Sequence, residues 1–196
     1  MTKTVGELET YPFVLNRDEI IKGMGAFGWR LAKPSEHTEM MALAEKLLNS
    51  ELTSAETINW INSVTGSTSW IFGTPGEAIE GIFIIVPVSP DGLKAIQSGD
   101  FDPSGPEKEH LAALGQTCAG VYVGAYAGAT HEARKAVMMA TVTMRVDGYG
   151  QVPAFARGAT DDGVRSMESI GFHPAGFGAD KLWMQPPVRR PKQDAA

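Results

Sequence analysis

Cysteine is nearly absent: Cys118 is the only one in 196 residues, which excludes an internal disulfide framework and any multi-cysteine metal cage. Beside Ala119 and Gly120, just before an apolar run, it reads as a buried, inert thiol rather than a nucleophile. Long hydrophobic runs are lacking as well. The longest, around Ile82 to Val86, falls far short of the ~20 residues that a membrane-spanning helix needs, so no membrane partner is expected. The histidines His37, His110, His131 and His173 show no paired metal-ligand spacing, and no zinc site is expected. The opening MTKTVGELETYPF has no apolar stretch and no cleavage-type site, which argues against secretion by that route and makes the cytoplasm the expected home. Positive charge is in deficit, with 17 Lys and Arg against 23 Asp and Glu for a net charge of −6. The end PPVRRPKQDAA contributes +2 (Arg189, Arg190 and Lys192 less Asp194), leaving −8 on the body. An acidic body repels nucleic acid.

What is present is ordinary globular material, 43% hydrophobic and 20% charged. A chain of this length buries roughly 70% of its unfolded surface, enough for one core. Proline and glycine are spread between elements, so residues 1–185 read as one domain. Within it, 1–28 form an N-terminal extension in which PFVLNRDEIIKGM fits a strand and a short helix, and 186–196 read as a disordered tail.

GWRLA reads as a strand leading to Pro34 and a helix N-cap at Ser35. Met40, Leu43, Ala44, Leu47 and Leu48 then repeat at helical spacing to about Asn49. A second helix, capped by Ser54 and stopped by Gly66, turns Ile58, Ile61 and Val64 inward. TSWIFGTPGEAIEGIFIIVPV predicts a hairpin around a type II turn at Thr74-Pro75-Gly76-Glu77. Ser89-Pro90 opens a helix that Gly99 closes, and a further short helix is expected over Pro106 to Leu114. The second half alternates strand (Val121–Tyr126), helix (Thr130 to about Val146), strand (QVPAFA), a helix capped at Thr160, and a closing hairpin. These elements predict an α/β fold with a mixed sheet and helices on both faces. Trp29, Trp60, Trp70, Trp183 and the methionine-rich VMMATVTM are expected to pack the core.

One stretch, VYVGAYAGATHEARKAVMMA, runs from a strand through small residues into a helix. A helix N-terminus carries unpaired N–H groups and about half a positive charge, which suits an anion. Between Tyr126 and Val146, Arg134, Lys135 and Arg145 against Glu132 make the chain locally positive. The same pattern also serves merely to begin a helix with a solvated face, and the residues alone leave both readings open.

The segment ATDDGVRSMESIGFHPAGF resembles the closing signature of the GNAT superfamily of acyl-CoA-dependent N-acyltransferases, in which a short helix ends in a Gly-Phe pair, here Gly171-Phe172. The upstream order of strand, two helices, hairpin, strand and helix is similar to that family's, and the resemblance covers about Trp29 to Gln185. It implies a mostly antiparallel, twisted GNAT-like sheet and an acetyl-CoA or other acyl-CoA co-substrate without a metal. It implies an amine acceptor on a small molecule or a protein. Val123, Gly124, Ala125 and Tyr126 would then hold the pantetheine arm, and Thr130, His131, Arg134, Lys135 and Ala136 the pyrophosphate. The loop departs from the family's pattern of Gln or Arg, two residues, Gly, one residue, then Gly or Ala: aligned on His131, Arg134 and Ala136, it conforms only at Ala136.

The family's usual proton donor, a Tyr four residues before the Gly of the Gly-Phe pair, corresponds to Met167, and a thioether donates no proton. Ser166 and Glu168 flank that position but are expected to point elsewhere. Tyr122, Tyr126 and Glu80 are the substitutes available, with the two tyrosines expected on one face of their strand. The resemblance therefore implies either an N-acyltransferase or a GNAT-like binding module that has lost catalysis. Nothing in the residues decides between a monomer and a homodimer.

Overall fold

The computed structural model describes residues 11–50, 52–158 and 161–188. Its centre is β4 (Gly81–Val88), whose eight residues GIFIIVPV are all buried. An apolar run without polar alternation suits a strand covered on both faces. Around it, β2 (Trp29–Leu31), β3 (Ser69–Phe72), β4, β6 (Gly120–Gly128), β7 (Ala154–Arg157), β9 (Leu182–Gln185) and β8 (His173–Pro174) form a seven-stranded sheet in that order. Neighbours are antiparallel except β6 and β7, which are parallel. The mixed, mostly antiparallel α/β sheet read from the sequence is therefore the one observed. The expected N-terminal strand, β1 (Phe13–Val14), pairs with β5 (Thr117–Cys118) in a separate ribbon.

One face packs against α2 (His37–Leu48), α3 (Ala55–Thr65) and α4 (Pro90–Ser98), which contribute Met40, Ile58, Ile61 and Ile96 to a core with Ile82, Ile84 and Val86. The other packs against α1 (Arg17–Gly25), α5 (His131–Thr143) and α6 (Asp161–Ser169), with Met24, Val137, Ala140 and Met167 around Phe83 and Ile85. Helix ends follow the local chemistry. Ser54 accepts from the Thr57 amide at 3.1 Å and Ser89 from that of Gly92 at 3.0 Å, while Asn49, Gly66 and Gly99 close their helices at φ 48°, 70° and 92°. Thr160 lies outside the described residues, as do 189–196 of the tail.

Four local expectations are corrected. Ser35 caps nothing, because Pro34–Glu36 is a 3-10 turn and α2 starts at His37; the Glu36 carboxylate accepts from the Lys33 amide at 2.8 Å and takes both prongs of Arg30 at 2.8 and 2.7 Å. The helix expected over Pro106 to Leu114 is one turn, Lys108–His110, because Leu111 bridges to Val88 and the Ala112 amide bonds the Pro87 carbonyl, pulling the chain onto the edge of β4. The type II turn exists, with Gly76 at φ 89° and Glu77 N–H on the Thr74 carbonyl at 3.0 Å, but β3 and β4 are paired only from Phe72 and Gly81, so it tips a longer loop. In the methionine-rich helix Val137 and Met144 are core, whereas Met138, Met139 and Val142 are 41–51% exposed; Trp60 is 37% exposed. Their positions on the outer faces of α5 and α3 override side-chain type.

His37 is fully buried at the start of α2, with neither ring nitrogen hydrogen-bonded. Burial holds its pKa below the usual 6.5, against the opposing pull of Asn59 and Glu36. The unfolded chain therefore takes up this proton first. The stability contributed by His37 is complete above about pH 6.5 and is lost as pH falls towards and through the lower folded value. Urea denaturation between pH 7.5 and 5 should show a decline that a His37→Leu variant flattens; an equal decline in both proteins would assign it to other groups.

Candidate functional site

The site is set by one irregularity in β6. Ile84 pairs with Ala125 but Ile85 pairs with Val123, so Gly124 is an extra, unpaired residue. Such a bulge reverses the alternation of side chains on either side of it. Tyr122 consequently points to the α2–α4 face, its ring 5.4 Å from that of Phe101, while Tyr126 points to the α5–α6 face, stacked on Phe83 at 6.0 Å. The expectation that both tyrosines share a face is corrected, because strict alternation does not count the bulged residue.

At the same point β6 and β7 part. Val121, Tyr122 and Val123 pair with Ala154, Phe155 and Ala156, after which β6 runs on to Gly128 and β7 ends at Arg157. Beyond Val123 the peptide groups of β6 on that side have no ladder partner among the described residues. A cleft of about 500 Å³ opens in the splay, walled by Val123 to Tyr126, Arg157, the end of α2, and Ser166 and Met167 of α6. A second cavity of about 340 Å³ lies towards α2 and α3 and shares Val123, Gly124, Ala125 and Arg157 with the first. The two meet at the bulge.

The sequence-derived residues divide between this cleft and a separate corner. Val123, Gly124, Ala125 and Tyr126 line the cleft. Thr130, His131, Arg134, Lys135 and Ala136 belong to the start of α5, and from His131 onward they are helix, not a turn. Only Ala129 and Thr130 separate β6 from α5, and a Cβ on Gly128 would stand 2.5 Å from the Arg134 nitrogen, so strand and helix backbones pack directly. Thr130 is the N-cap: its hydroxyl accepts from the Ala133 amide at 3.1 Å and donates to Glu80 Oε2 at 2.8 Å. Glu80 thus faces the α5 start, outside the cleft lining, and the Ala129 amide bonds its carbonyl at 2.7 Å. His131, Arg134 and Lys135 are exposed there, while Ala136 is buried and its carbonyl accepts from Trp29 Nε1 at 3.0 Å. Arg145 leaves the phosphate count altogether, since it is buried and bonded to the carbonyls of Tyr149, Val152 and Pro186 and to Gln185.

On the other wall, Met167 is buried in the core, and the neighbouring Ser166 turns into the cleft, where the Tyr126 hydroxyl donates to it at 3.2 Å. The expectation that Ser166 points elsewhere is corrected: in α6, Asp162, Gly163 and Ser166 recur at helical spacing on the cleft side. Sequence reading also missed Arg157, whose only signal is a cation ending the apolar strand Pro153 to Ala156. Cys118 is inert as expected: the thiol is fully buried, donates to the Gly120 carbonyl at 3.3 Å, and burial pushes its pKa up to about 12. Among the described residues no cluster of three His, Cys, Asp or Glu could hold a metal, and no helix is long and apolar enough to cross a membrane.

The chain, with its mixed, mostly antiparallel sheet and helices on both faces, has the GNAT fold. Naa20 of Chaetomium thermophilum, crystallised with a bisubstrate analogue, is similar with a TM-score of 0.53 and 12% identity, over 85% of this chain and 90% of that one. A GNAT-family acetyltransferase of Streptococcus agalactiae (TM-score 0.48, 11% identity, 81% and 94% covered) and the GNAT-like decarboxylase GphF with isobutyryl-CoA (0.48, 13%, 82% and 99%) are also similar. At these identities the similarity is one of fold. No protein-family model and no curated protein matches the sequence.

Proposed function

We propose that this protein is an acyl-CoA-dependent N-acyltransferase that moves an acetyl or other short acyl group to an amine. The observation that carries the reading is the splay at Gly124, which frees a run of β6 peptide groups along a cleft of about 500 Å³. Such an edge offers hydrogen bonds to an amide-bearing chain as an added strand would. Among solved proteins of this fold, GphF is seen with isobutyryl-CoA and a Brucella melitensis acetyltransferase with acetyl-CoA. The residues fit the group: Val123 to Tyr126 line the arm's path, and the exposed Arg134 and Lys135 at the start of α5 are the cations available to its diphosphate, with His131 beside them as a hydrogen-bonding side chain.

The co-substrate supplies an activated thioester. The acceptor nitrogen attacks the acyl carbon, the C–N bond forms, the C–S bond breaks, and the nitrogen's surplus proton passes to solvent. The departing thiolate needs a proton, and Tyr126 is placed to give it. Its hydroxyl lies in the cleft against Ser166, one residue from the buried Met167, so the phenol reaches the same end of α6 from the strand side. As Tyr126 donates, the Ser166 hydroxyl can turn and donate a hydrogen bond to the phenolate, which then regains from solvent the proton that the nitrogen gave up.

Glu80 favours the second reading, a binding module without catalysis, because a carboxylate at the cap of α5 opposes a diphosphate there. Calorimetric titration with acetyl-CoA and with free CoA separates the two. Heat and thermal stabilisation support the transferase, and neither at millimolar ligand leaves the module. Arg134→Glu should weaken acetyl-CoA binding about tenfold, as reversing one charge beside a phosphate costs on the order of 1.4 kcal/mol. Unchanged affinity would remove the diphosphate from this corner.

A further inference from the structure

The second cavity identifies the acceptor, granted the acyl-CoA reading above. It reaches the bulge at Gly124, so a molecule lying in it presents its nitrogen where the two spaces meet. Its floor is aliphatic: Met41, Leu52, Ile58, Ile84 and Val86. An occupant therefore needs an apolar body to replace the water it displaces. No carboxylate is among the described residues that line it. None of those described residues offers a carboxylate to the second cation of a polyamine or a lysine-rich peptide.

Of the polar side chains in its lining, Ser50, Thr53, Ser104, Tyr122 and Arg157, the last two neighbour the bulge. Arg157 ends β7, lines both cavities, and forms no ion pair with another described residue. Tyr122 lines the same cavity, is 5% exposed, and its hydroxyl makes no hydrogen bond with another described residue. Burial pushes this phenol up to about 12, with Arg157 opposing and Asp102 adding to the shift, so it keeps its proton at neutral pH and acts as a donor. Asp102 itself is outside the lining, accepting from the Ser104 amide at 2.9 Å. The Thr53 hydroxyl at the rim is already bonded to the Ser104 carbonyl at 2.7 Å. One guanidinium and one phenol match a monoanion, and a planar carboxylate takes bonds from both.

We propose that the acceptor is a small amino acid with an apolar side chain, its carboxylate held by Arg157 and Tyr122, its side chain on the aliphatic floor and its amine at Gly124. The products are an N-acyl amino acid and the free thiol of the carrier; the proton that leaves the neutral amine balances the one gained by the sulfur, so none is released overall. Tyr122 and Arg157 are thus specificity-determining groups.

Binding is tested without relying on turnover, by calorimetry with N-acetyl-leucine, N-acetyl-methionine and N-acetyl-phenylalanine against their carboxamides and against N-acetylspermidine. The acid of at least one pair should bind about tenfold or more tighter than its amide. That ratio should fall to near one in Arg157→Gln, recover in part in Arg157→Lys, and fall severalfold in Tyr122→Phe. Circular dichroism and thermal melting check that each variant folds, and with two independent positions the loss of one to misfolding leaves the other decisive. Equal binding of acid and amide, preference for the polyamine, no binding of any acid, or an acid preference untouched by both substitutions would overturn the proposal. Acetyl-CoA titration of the same samples distinguishes the failures: carrier binding without acid preference sinks only this assignment, and no carrier binding sinks the transferase itself.

Discussion

Arg145→Met should cost about 3–5 kcal/mol of folding stability, the usual penalty for removing one member of a buried charged network. Arg145 is 5% exposed and forms no ion pair with a described carboxylate; Nη1 bonds the Tyr149 carbonyl at 2.6 Å and the Val152 carbonyl at 3.2 Å, Nη2 bonds the Pro186 carbonyl at 3.0 Å, and Nε bonds Gln185 Oε1. Burial in these neutral surroundings lowers its pKa to about 10, which still leaves it cationic at neutral pH. Methionine fills much of the volume but strands these acceptors, each costing about 1–3 kcal/mol if dry. The guanidinium also ties the π-turn Met144–Gly148 to β9, and Gln185 Nε2 continues the network to the Ile170 carbonyl. Urea denaturation gives the number. A loss under about 1 kcal/mol would show that water reaches these carbonyls once the guanidinium is gone.

Tyr126→Phe should lower kcat about 100-fold, within the usual range for loss of a positioned proton donor, while acyl-CoA KM stays within about threefold. The reason for a selective effect is structural. The ring's stacking on Phe83 at 6.0 Å and its place in the core are kept by phenylalanine, and only the hydroxyl facing Ser166 is lost. Thiol release measured at saturating carrier separates kcat from KM. If kcat is unchanged, solvent protonates the leaving sulfur and Tyr126 is a wall of the cleft. Ser166→Ala should fall between the two, since it removes the phenolate's partner but leaves the donor.

Much of the frame was legible residue by residue. Ser54, Ser89, Gly66 and Gly99 mark helix ends because their side chains, or the lack of one, act on the adjacent backbone. The unbroken apolar run of β4 announces a strand buried on both sides for a similar reason. Where distant partners compete, reading failed. The helix expected over Pro106 to Leu114 gave way to pairing with β4, and the cap expected at Ser35 gave way to a 3-10 turn in which Glu36 bonds Arg30 and the Lys33 amide while α2 starts without a side-chain cap. The site was legible only in part. Val123 to Tyr126, expected to hold the pantetheine arm, do line the cleft, but Arg157 and Ser166 were not singled out for it, as neither carries a local pattern and both face the cleft through the placing of β7 and α6.

The sequence by itself determined the elements, most of their ends, the mixed sheet and the inert thiol, because caps, turns and apolar runs act over a few residues. Only the tertiary structure decided which side chains share a space. One extra residue at Gly124 sent Tyr122 and Tyr126 to opposite faces, and packing drew Arg145, counted with the local positive charge, into the core. Both follow from long-range pairing: register and burial depend on what the rest of the chain brings alongside, and no short stretch contains that information.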